Sequence, residues 1–524
     1  MPTINSQDYL YWRLVYELVT KHRFRIINLY DHGEVWLQRI EWREKNILRL
    51  VRDDINWGNY LVRDMANVTK AIDLYKQQTY SKKVDFYNIF VSTYSPVDDW
   101  EYQVDNRNNV EIVLIEQANQ EQEIERLFKL LNLPSPDVKS WFSDMEDPPI
   151  LINRLRQTEK DRKKAENDLL FAKKPFFTYI LVAINLIMFL LLELVGSGST
   201  DLSTLIKFGA KYNPAILEGD WWRFITPMFL HIGFLHLAMN SLALYYLGIS
   251  VERIYGSWRF LTIYFAAGIT GGVASFVFTT QVSAGASGAI FGCFGALLYF
   301  GVAHPSLFLR SMGWNVIVVL GINLAFGFLV PMVDNSAHIG GLIGGFLASA
   351  IVHLPNHKNS LRQAIAFLLF SVIMGAALVY GFYYSDQKED PLVVGQLSQQ
   401  LIEDGDYEKA NQLLSEVVQT NGEVPPEILF LLSYTEIKLG QNEKAITLLE
   451  TVVEEKSDFH EAYYNLALLY LDKGDYEKAK VAINKALEIR PYEGDYKSLV
   501  TEIEKFNFIQ QKSPTSISGE IITN

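Results

Sequence analysis

Three regimes of apolar and polar patterning follow one another along the chain. Between residues 175 and 384, long apolar runs alternate with short polar gaps, at about 176–195, 227–248, 259–278, 287–304, 314–331, 337–354 and 363–383. Each approaches the roughly 20 residues needed to cross a hydrocarbon core of about 30 Å, so the pattern predicts seven membrane helices. Residues 1–151 instead mix helical and alternating periods: a helix near 6–21, strands near 23–31, 34–42 and 45–51, a helix near 58–76, and strands near 84–92 and 110–116. A charged, helix-prone stretch at 152–174 reads as the linker to the membrane. From 385 to 507 the pattern is helical and repetitive, and the Ser/Thr-rich residues 508–524 read as a disordered tail. The fold class is thus a multidomain membrane protein: soluble α/β domain, helical membrane bundle, all-α solenoid.

The repeat is explicit. Gly405-Asp406-Tyr407-Glu408-Lys409-Ala410 recurs as Gly440-Gln441-Asn442-Glu443-Lys444-Ala445 and as Gly474-Asp475-Tyr476-Glu477-Lys478-Ala479, at spacings of 35 and 34. A period near 34 with small and aromatic residues in the copy from Ala462 to Pro491 resembles tetratricopeptide helix pairs. Such arrays present concave peptide-binding surfaces, so peptide or protein ligands are the expected partners, with a solubilising or dimerising stalk as the bland alternative.

Charge sharpens the division. Lys+Arg against Asp+Glu runs 26 to 28 in residues 1–174, 8 to 6 in 175–384 and 13 to 26 in 385–524. The acidic tail carries the net charge of −13, and no basic block offers the phosphate-neutralising surface that nucleic acid needs. Cys293 is the single cysteine, which excludes an intramolecular disulfide and a thiolate metal cluster; it reads as a small buried hydrophobe. Basic residues set the orientation. Lys160, Arg162, Lys163, Lys164, Lys173 and Lys174 precede the first span, and Arg253, Arg259, Arg310, Lys358 and Arg362 lie in alternate loops. By the positive-inside rule the N-terminal domain is cytoplasmic and the repeats are outside.

Polar groups at membrane depth are costly and mark packing contacts or functional sites. His236 and Asn240 lie one turn apart in span 2, Ser287 opens span 4, and His338 opens span 6. All three spans run from outside to inside, so these residues share one layer near the outer face. Singly, each has a bland reading: Ser287 as a packing residue, His338 as part of a pore or proton path, His236 with Asn240 as an interhelical hydrogen bond. Together they form a Ser–His dyad with oxyanion donors. The pairs Gly288/Gly292 and Gly341/Gly345 supply small faces for the close approach that a dyad requires. Asp334, the one carboxylate near either partner, reads as a residue of a solvated loop, so no triad is expected. A dyad calls for no metal and no cofactor. His231 reads as structural, and His304, His353 and His357 as interfacial.

These residues resemble the rhomboid family of intramembrane serine proteases. The motifs appear in family order over residues 176–354: Trp222-Arg223 in the first loop, His231-x4-His236-x3-Asn240, Gly248-x3-Glu252-Arg253-x2-Gly256 after helix 2, Gly285-Ala286-Ser287-Gly288, and Ala337-His338-Ile339-Gly340-Gly341. The resemblance implies Ser287 as nucleophile, His338 as general base, His236 and Asn240 in the oxyanion hole, and Phe291 stacked on the histidine where many relatives have tyrosine. It implies structural roles for His231, Arg223, Glu252 and Arg253. It also implies cleavage of transmembrane protein substrates near the outer face, in the lipid bilayer, with helix 5 as a lateral gate. The whole architecture resembles the rhomboid type with a cytoplasmic domain before the core and tetratricopeptide repeats after a seventh helix.

The N-terminal order α-β-β-β-α-β resembles the restriction-endonuclease-like fold, but it lacks the Pro-Asp and Glu-x-Lys pattern of that fold's metal site. A regulatory or adaptor domain with a cytoplasmic ligand or partner is expected, with Asp53 and Asp54 as solvated turn residues. The alternative for the whole chain is an adaptor that binds membrane proteins through its soluble domains and presents them to another protease. A transporter is disfavoured, since no span carries a charge pair.

Overall fold

The computed structural model describes residues 6–30, 33–39, 46–79, 85–98, 110–143, 145–171, 173–330, 332–355, 360–384 and 390–509. Most of the Ser/Thr-rich tail, together with His357 and Lys358, lies outside them.

The N-terminal domain is built on a sheet in the order β1-β2-β3-β4-β5: Phe24–Tyr30, Glu34–Arg39, Asn46–Arg52, Asp85–Val91 and Val110–Ile115. The first three strands are antiparallel, and β3, β4 and β5 are parallel, in register Leu50↔Ile89 and Ile89↔Val113. Parallel neighbours need a crossover, which α2 (Gly58–Thr79) provides between β3 and β4. Strand β3 is buried on both faces. Leu48 and Leu50 join a core with α1 (Ser6–Thr20), while Ile47 and Val51 pack with α2 residues. Arg49 shares the α2 face. It donates to Glu34 at 2.9 Å, to Asp64 at 2.6 Å and to Asn88 at 3.1 Å, a closed polar network where an unpaired charge would be costly. Asp54 is not a free turn residue: it accepts from Arg52 at 2.8 Å and from Thr93 N–H at 2.8 Å.

After α3 (Gln120–Leu130) and α4 (Val138–Trp141), helix α5 spans Pro148–Leu170. The stretch read as a linker from 152 onward is therefore one helix with residues before it. Leu151 and Leu155, at i and i+4, sit in the domain core, and Arg162 donates to the Phe24 carbonyl at 3.0 Å. An amphipathic stripe inside a charged segment thus docks the helix on its own domain.

Among the described residues, seven apolar helices form the membrane bundle: α6 (Phe177–Val195), α9 (Gly233–Tyr255), α10 (Ser257–Phe278), α11 (Ser287–Ala303), α12 (Pro305–Leu329), α13 (Asn335–Val352) and α14 (Ser360–Tyr383); the loop between α6 and α9 holds short helices α7 (Leu202–Lys207) and α8 (Asn213–Leu217). Six are long enough to span by themselves, and α11 is shorter at 17 residues. The second span starts later than its apolar run suggests. Residues 221–229 form two 3₁₀ turns, one with Pro227 at its start, and the helix begins only at Gly233, where φ is +76°. It then runs on to Tyr255, so Glu252 and Arg253 lie in the helix and not beyond it.

The C-terminal region stacks helix pairs α15/α16 (Pro391–Glu403, Tyr407–Thr420), α17/α18 (Pro426–Lys438, Asn442–Glu455) and α19/α20 (His460–Asp472, Tyr476–Ile489), closed by α21 (Gly494–Ile509). Gly405, Gly440 and Gly474 take φ of 80°, 75° and 79° in the three inter-helix turns, and the recurring Ala410, Ala445 and Ala479 are fully buried where the paired helices meet. The repeat period is thus a tetratricopeptide array of stacked helical hairpins.

Candidate active site

In lipid, helices gain little from hiding apolar surface from one another, so close packing of small residues decides which backbones touch. A Cβ on Gly341 of α13 would fall 1.9 Å from the Gly288 carbonyl oxygen of α11, and one on Gly345 would fall 2.2 Å from the Gly292 oxygen. From α10, a Cβ on Gly271 would come within 2.8 Å of the Ala337 oxygen. The three helices therefore meet backbone to backbone at one end, where α11 opens with Ser287 and α13 carries His338. Phe291, one turn after Ser287, lies parallel to the His338 ring with centroids 4.1 Å apart. His338 is buried, its Nδ1 has no hydrogen-bond partner among the described residues, and Ser287 is half-buried. No hydrogen bond from Ser287 Oγ to His338 is present among the described residues; such bonds commonly tighten only when substrate binds.

His236 approaches from α9. Its Nδ1 accepts from the Ile232 N–H at 3.4 Å, so a neutral ring carries its proton on Nε2. A Cβ on Gly285 would lie 2.9 Å from that Nε2 and 3.7 Å from Ser287 Oγ, so ring and hydroxyl flank the same point. Gly285 has φ +146°, and its N–H is bound to the Pro227 carbonyl at 2.8 Å; both the space and the backbone there exclude a side chain. Asn240 is buried and donates from Nδ2 to the His236 carbonyl at 3.1 Å, which leaves its second amide hydrogen uncommitted to that bond. The fully buried His231 packs edge-on against His236 at 5.3 Å.

The remaining motif residues hold the frame. Arg223 donates to the carbonyls of Ile206 at 2.7 Å and Ala210 at 3.0 Å, pairs with Asp220 and lies 4.5 Å over the Trp222 ring, so it laces the loop between α6 and α9. Glu252 accepts from the N–H groups of Phe176, Phe177 and Thr178 at 2.8–2.9 Å and from the Thr178 hydroxyl at 2.7 Å. These are N–H groups that the start of α6 would otherwise leave orphaned, and the helix dipole favours the carboxylate there. Arg253, the next residue, is half-buried.

Two residues were misjudged or missed by sequence reasoning. Asp334 is not a solvated loop residue: its carboxylate accepts from Ala337 N–H at 2.9 Å, capping α13, and from the Ser275 hydroxyl of α10 at 2.5 Å. The spacing Asp334 to Ala337 was a capping signal available in the sequence. Lys211, in the loop between α6 and α9, is 1% exposed and donates from Nζ to the carbonyls of Thr279 at 2.6 Å and Gln281 at 3.0 Å. Burial pushes its ammonium pKa down to about 7, against the pull of the Asp334 charge. Nothing local in the sequence marks it.

A half-buried serine, a buried histidine and a second histidine thus converge at one end of a helical bundle. Comparison with known proteins gives the family. The Rhomboid domain family matches residues 218–355, and two tetratricopeptide repeat families match 401–461 and 460–493. The chain is 37% identical over 507 residues to Rhomboid protease GluP of Bacillus subtilis (strain 168), covering 95% of this chain and 98% of that protein. It is 34% identical over 237 residues to Rhomboid protease AarA of Providencia stuartii, covering 39% of this chain and 83% of that one. Among solved structures, the Sgt2 TPR domain from Aspergillus fumigatus is similar at 18% identity and a TM-score of 0.22, over 25% of this chain and 90% of that one. The chain belongs to the rhomboid family. It is a multi-pass membrane protein and a rhomboid serine protease, with the GluP-like combination of a rhomboid core and tetratricopeptide repeats.

Proposed function

We propose that this protein cleaves transmembrane protein substrates near the outer membrane face with a Ser287–His338 dyad. The observation that carries the reading is the Phe291–His338 stack directly above the Gly288–Gly341 backbone contact, with His236 Nε2 and Ser287 Oγ flanking one point at Gly285. Ser287 Oγ attacks the scissile carbonyl carbon while its proton passes to His338 Nε2. The new oxyanion accepts from His236 Nε2–H, from the Asn240 amide and from the Ser287 N–H at the start of α11. Collapse breaks the C–N bond, and the proton on His338 goes to the leaving amine. Water then attacks the acyl-enzyme with His338 again as base, releasing the carboxylate and restoring the Ser287 hydroxyl.

A substrate helix hides its carbonyls in hydrogen bonds, so cleavage favours segments that Gly or Pro make easy to extend, with small side chains at the cut. The basic residues flanking the spans support an orientation in the cell membrane with the N-terminal domain cytoplasmic and the repeats outside. In this reading the repeats bind peptide segments of substrates or partners, and residues 1–151 take a cytoplasmic ligand.

The test is cleavage of a single-span substrate in detergent or liposomes by wild type, Ser287→Ala and His338→Ala, with the cut mapped by mass spectrometry. The expected result is a wild-type cut near the outer end of the substrate helix and silence from both variants. Activity surviving in either variant would remove the dyad.

A further inference from the structure

Lys211 is an unusual residue to find at this position. Its side chain is almost fully enclosed although it belongs to a polar loop, and both hydrogen bonds it makes are to backbone carbonyls at the outer end of α10 and just beyond. Its own backbone forms a two-bond antiparallel bridge with Ser283: Lys211 N–H to the Ser283 carbonyl at 2.9 Å and Ser283 N–H to the Lys211 carbonyl at 3.1 Å. Asn213 reinforces it, donating to the carbonyls of Phe276 at 3.3 Å and Thr279 at 3.1 Å. Thus the segment 279–286, which delivers Gly285 and Ser287, is fastened to the first loop at Thr279, Gln281 and Ser283. Gly285 N–H to Pro227 adds the last fastening before the nucleophile.

The other half of the site is tied to the same place. Asp334 caps α13 four residues before His338, and its second oxygen holds Ser275 in the last turn of α10, the helix whose end Lys211 binds at Thr279. A cation at the carbonyl end of α10 and an anion at the amide end of α13 each also complement their helix dipoles.

We propose that Lys211 is a positioning residue for the cleavage reaction, fastening the 279–286 segment that leads into Ser287 to the end of α10, the helix on which Asp334 also anchors the start of the helix that carries His338. The inference rests on the Ser287–His338 reading given above. Lys211 touches neither substrate nor reacting atoms. It sets the approach of nucleophile to base, and a displacement of about 1 Å there costs up to about a hundredfold in rate.

The experiment uses the full chain in detergent, assayed below neutrality where the amine is charged, with wild type, Lys211→Met, Asp334→Asn and the double variant. Asparagine keeps an oxygen to accept the Ala337 N–H, so Asp334→Asn removes the charge with the helix cap retained. Each single variant is expected to lower kcat about tenfold or more with KM within about twofold, because the surface that receives substrate is unchanged. The double variant is expected to be no worse than the poorer single one, since both residues act through the same end of α10. Thermal unfolding of each variant separates loss of fold from loss of positioning. If Lys211→Met does not fold, Asp334→Asn decides by the same criterion.

A Lys211→Met enzyme with wild-type kcat, an effect confined to KM, or multiplicative losses in the double variant would overturn the proposal. Ser287→Ala and His338→Ala run alongside. Cleavage by either of them would bring down the dyad reading itself, an outcome distinct from normal turnover by Lys211→Met beside silent dyad variants.

Discussion

The rings of Phe291 and His338 are inclined by only 9° with centroids 4.1 Å apart. This stack fixes the plane of the imidazole and therefore the direction of its nitrogens, which matters because His338 Nδ1 has no hydrogen-bond partner to orient it among the described residues. Aromatic pairs of this kind contribute about 0.5–1.5 kcal/mol beyond area burial. Phe291→Ala is expected to lower kcat about threefold to tenfold, whereas Phe291→Tyr keeps the ring and should stay near wild type. Steady-state cleavage kinetics check both. An alanine variant with undiminished kcat would show that the stack does not orient His338 for turnover.

The Gly288–Gly341 contact makes a sharper structural prediction. A methyl on Gly341 would meet a carbonyl oxygen at 1.9 Å, and that oxygen belongs to backbone that cannot turn aside. Gly341→Ala should therefore force α11 and α13 apart, abolish cleavage and cost about 1–3 kcal/mol or more of stability. Gly321 of α12 has nothing within 4 Å of its would-be Cβ. Gly321→Ala should leave thermal stability unchanged or slightly raised, and the contrast between the two variants is the measurement.

Glu252 ties α9 to the start of α6 through one carboxylate and four donors. Hydrogen bonds to a charged group contribute about 1.5–3 kcal/mol each, and orphaned buried N–H groups add their own cost. Glu252→Ala is expected to destabilise the membrane domain by about 3 kcal/mol or more, with Glu252→Gln in between, as read by thermal unfolding in detergent. Equal melting of all three proteins would mean that the cap carries no stability.

Much of this arrangement is legible from residues alone, because its signals are local. Runs of about 20 apolar residues can do little else than cross a bilayer, and a 34-residue period fixes a helical-hairpin array. Ser287, His236 and His338 stand out because polar groups at that depth are rare. The start of the second helix at Gly233 was not legible: Leu230 and its neighbours are apolar enough for a span, and only Pro227 and the positive φ of Gly233 turn that stretch into 3₁₀ loops. Glu252 hides inside a helix because its charge is met by amides some 75 positions away in the chain. Lys211 was missed, and so was the contact of Asp334 with Ser275, because these partners are brought by the fold and not by neighbours in sequence.

Lys211 also gives the membrane domain a pH dependence with a definite sign. In the unfolded chain its amine has the ordinary value of 10.5, and in the folded protein burial lowers it to about 7. Between those values the unfolded chain holds the extra proton, so deprotonation favours the folded state and stability rises with pH across that window. Below about 7 both states are protonated, and the residue contributes no slope. The gradient from one such group is at most about 1.4 kcal/mol per pH unit. Thermal unfolding in detergent should therefore show wild type gaining on Lys211→Met as pH is raised from neutrality, because methionine has no proton to lose. A difference between the two proteins that stays constant with pH would mean that the buried amine is not titrating there. A difference that shrank would give the opposite sign, that of an ammonium whose attraction to Asp334 outweighs its loss of water.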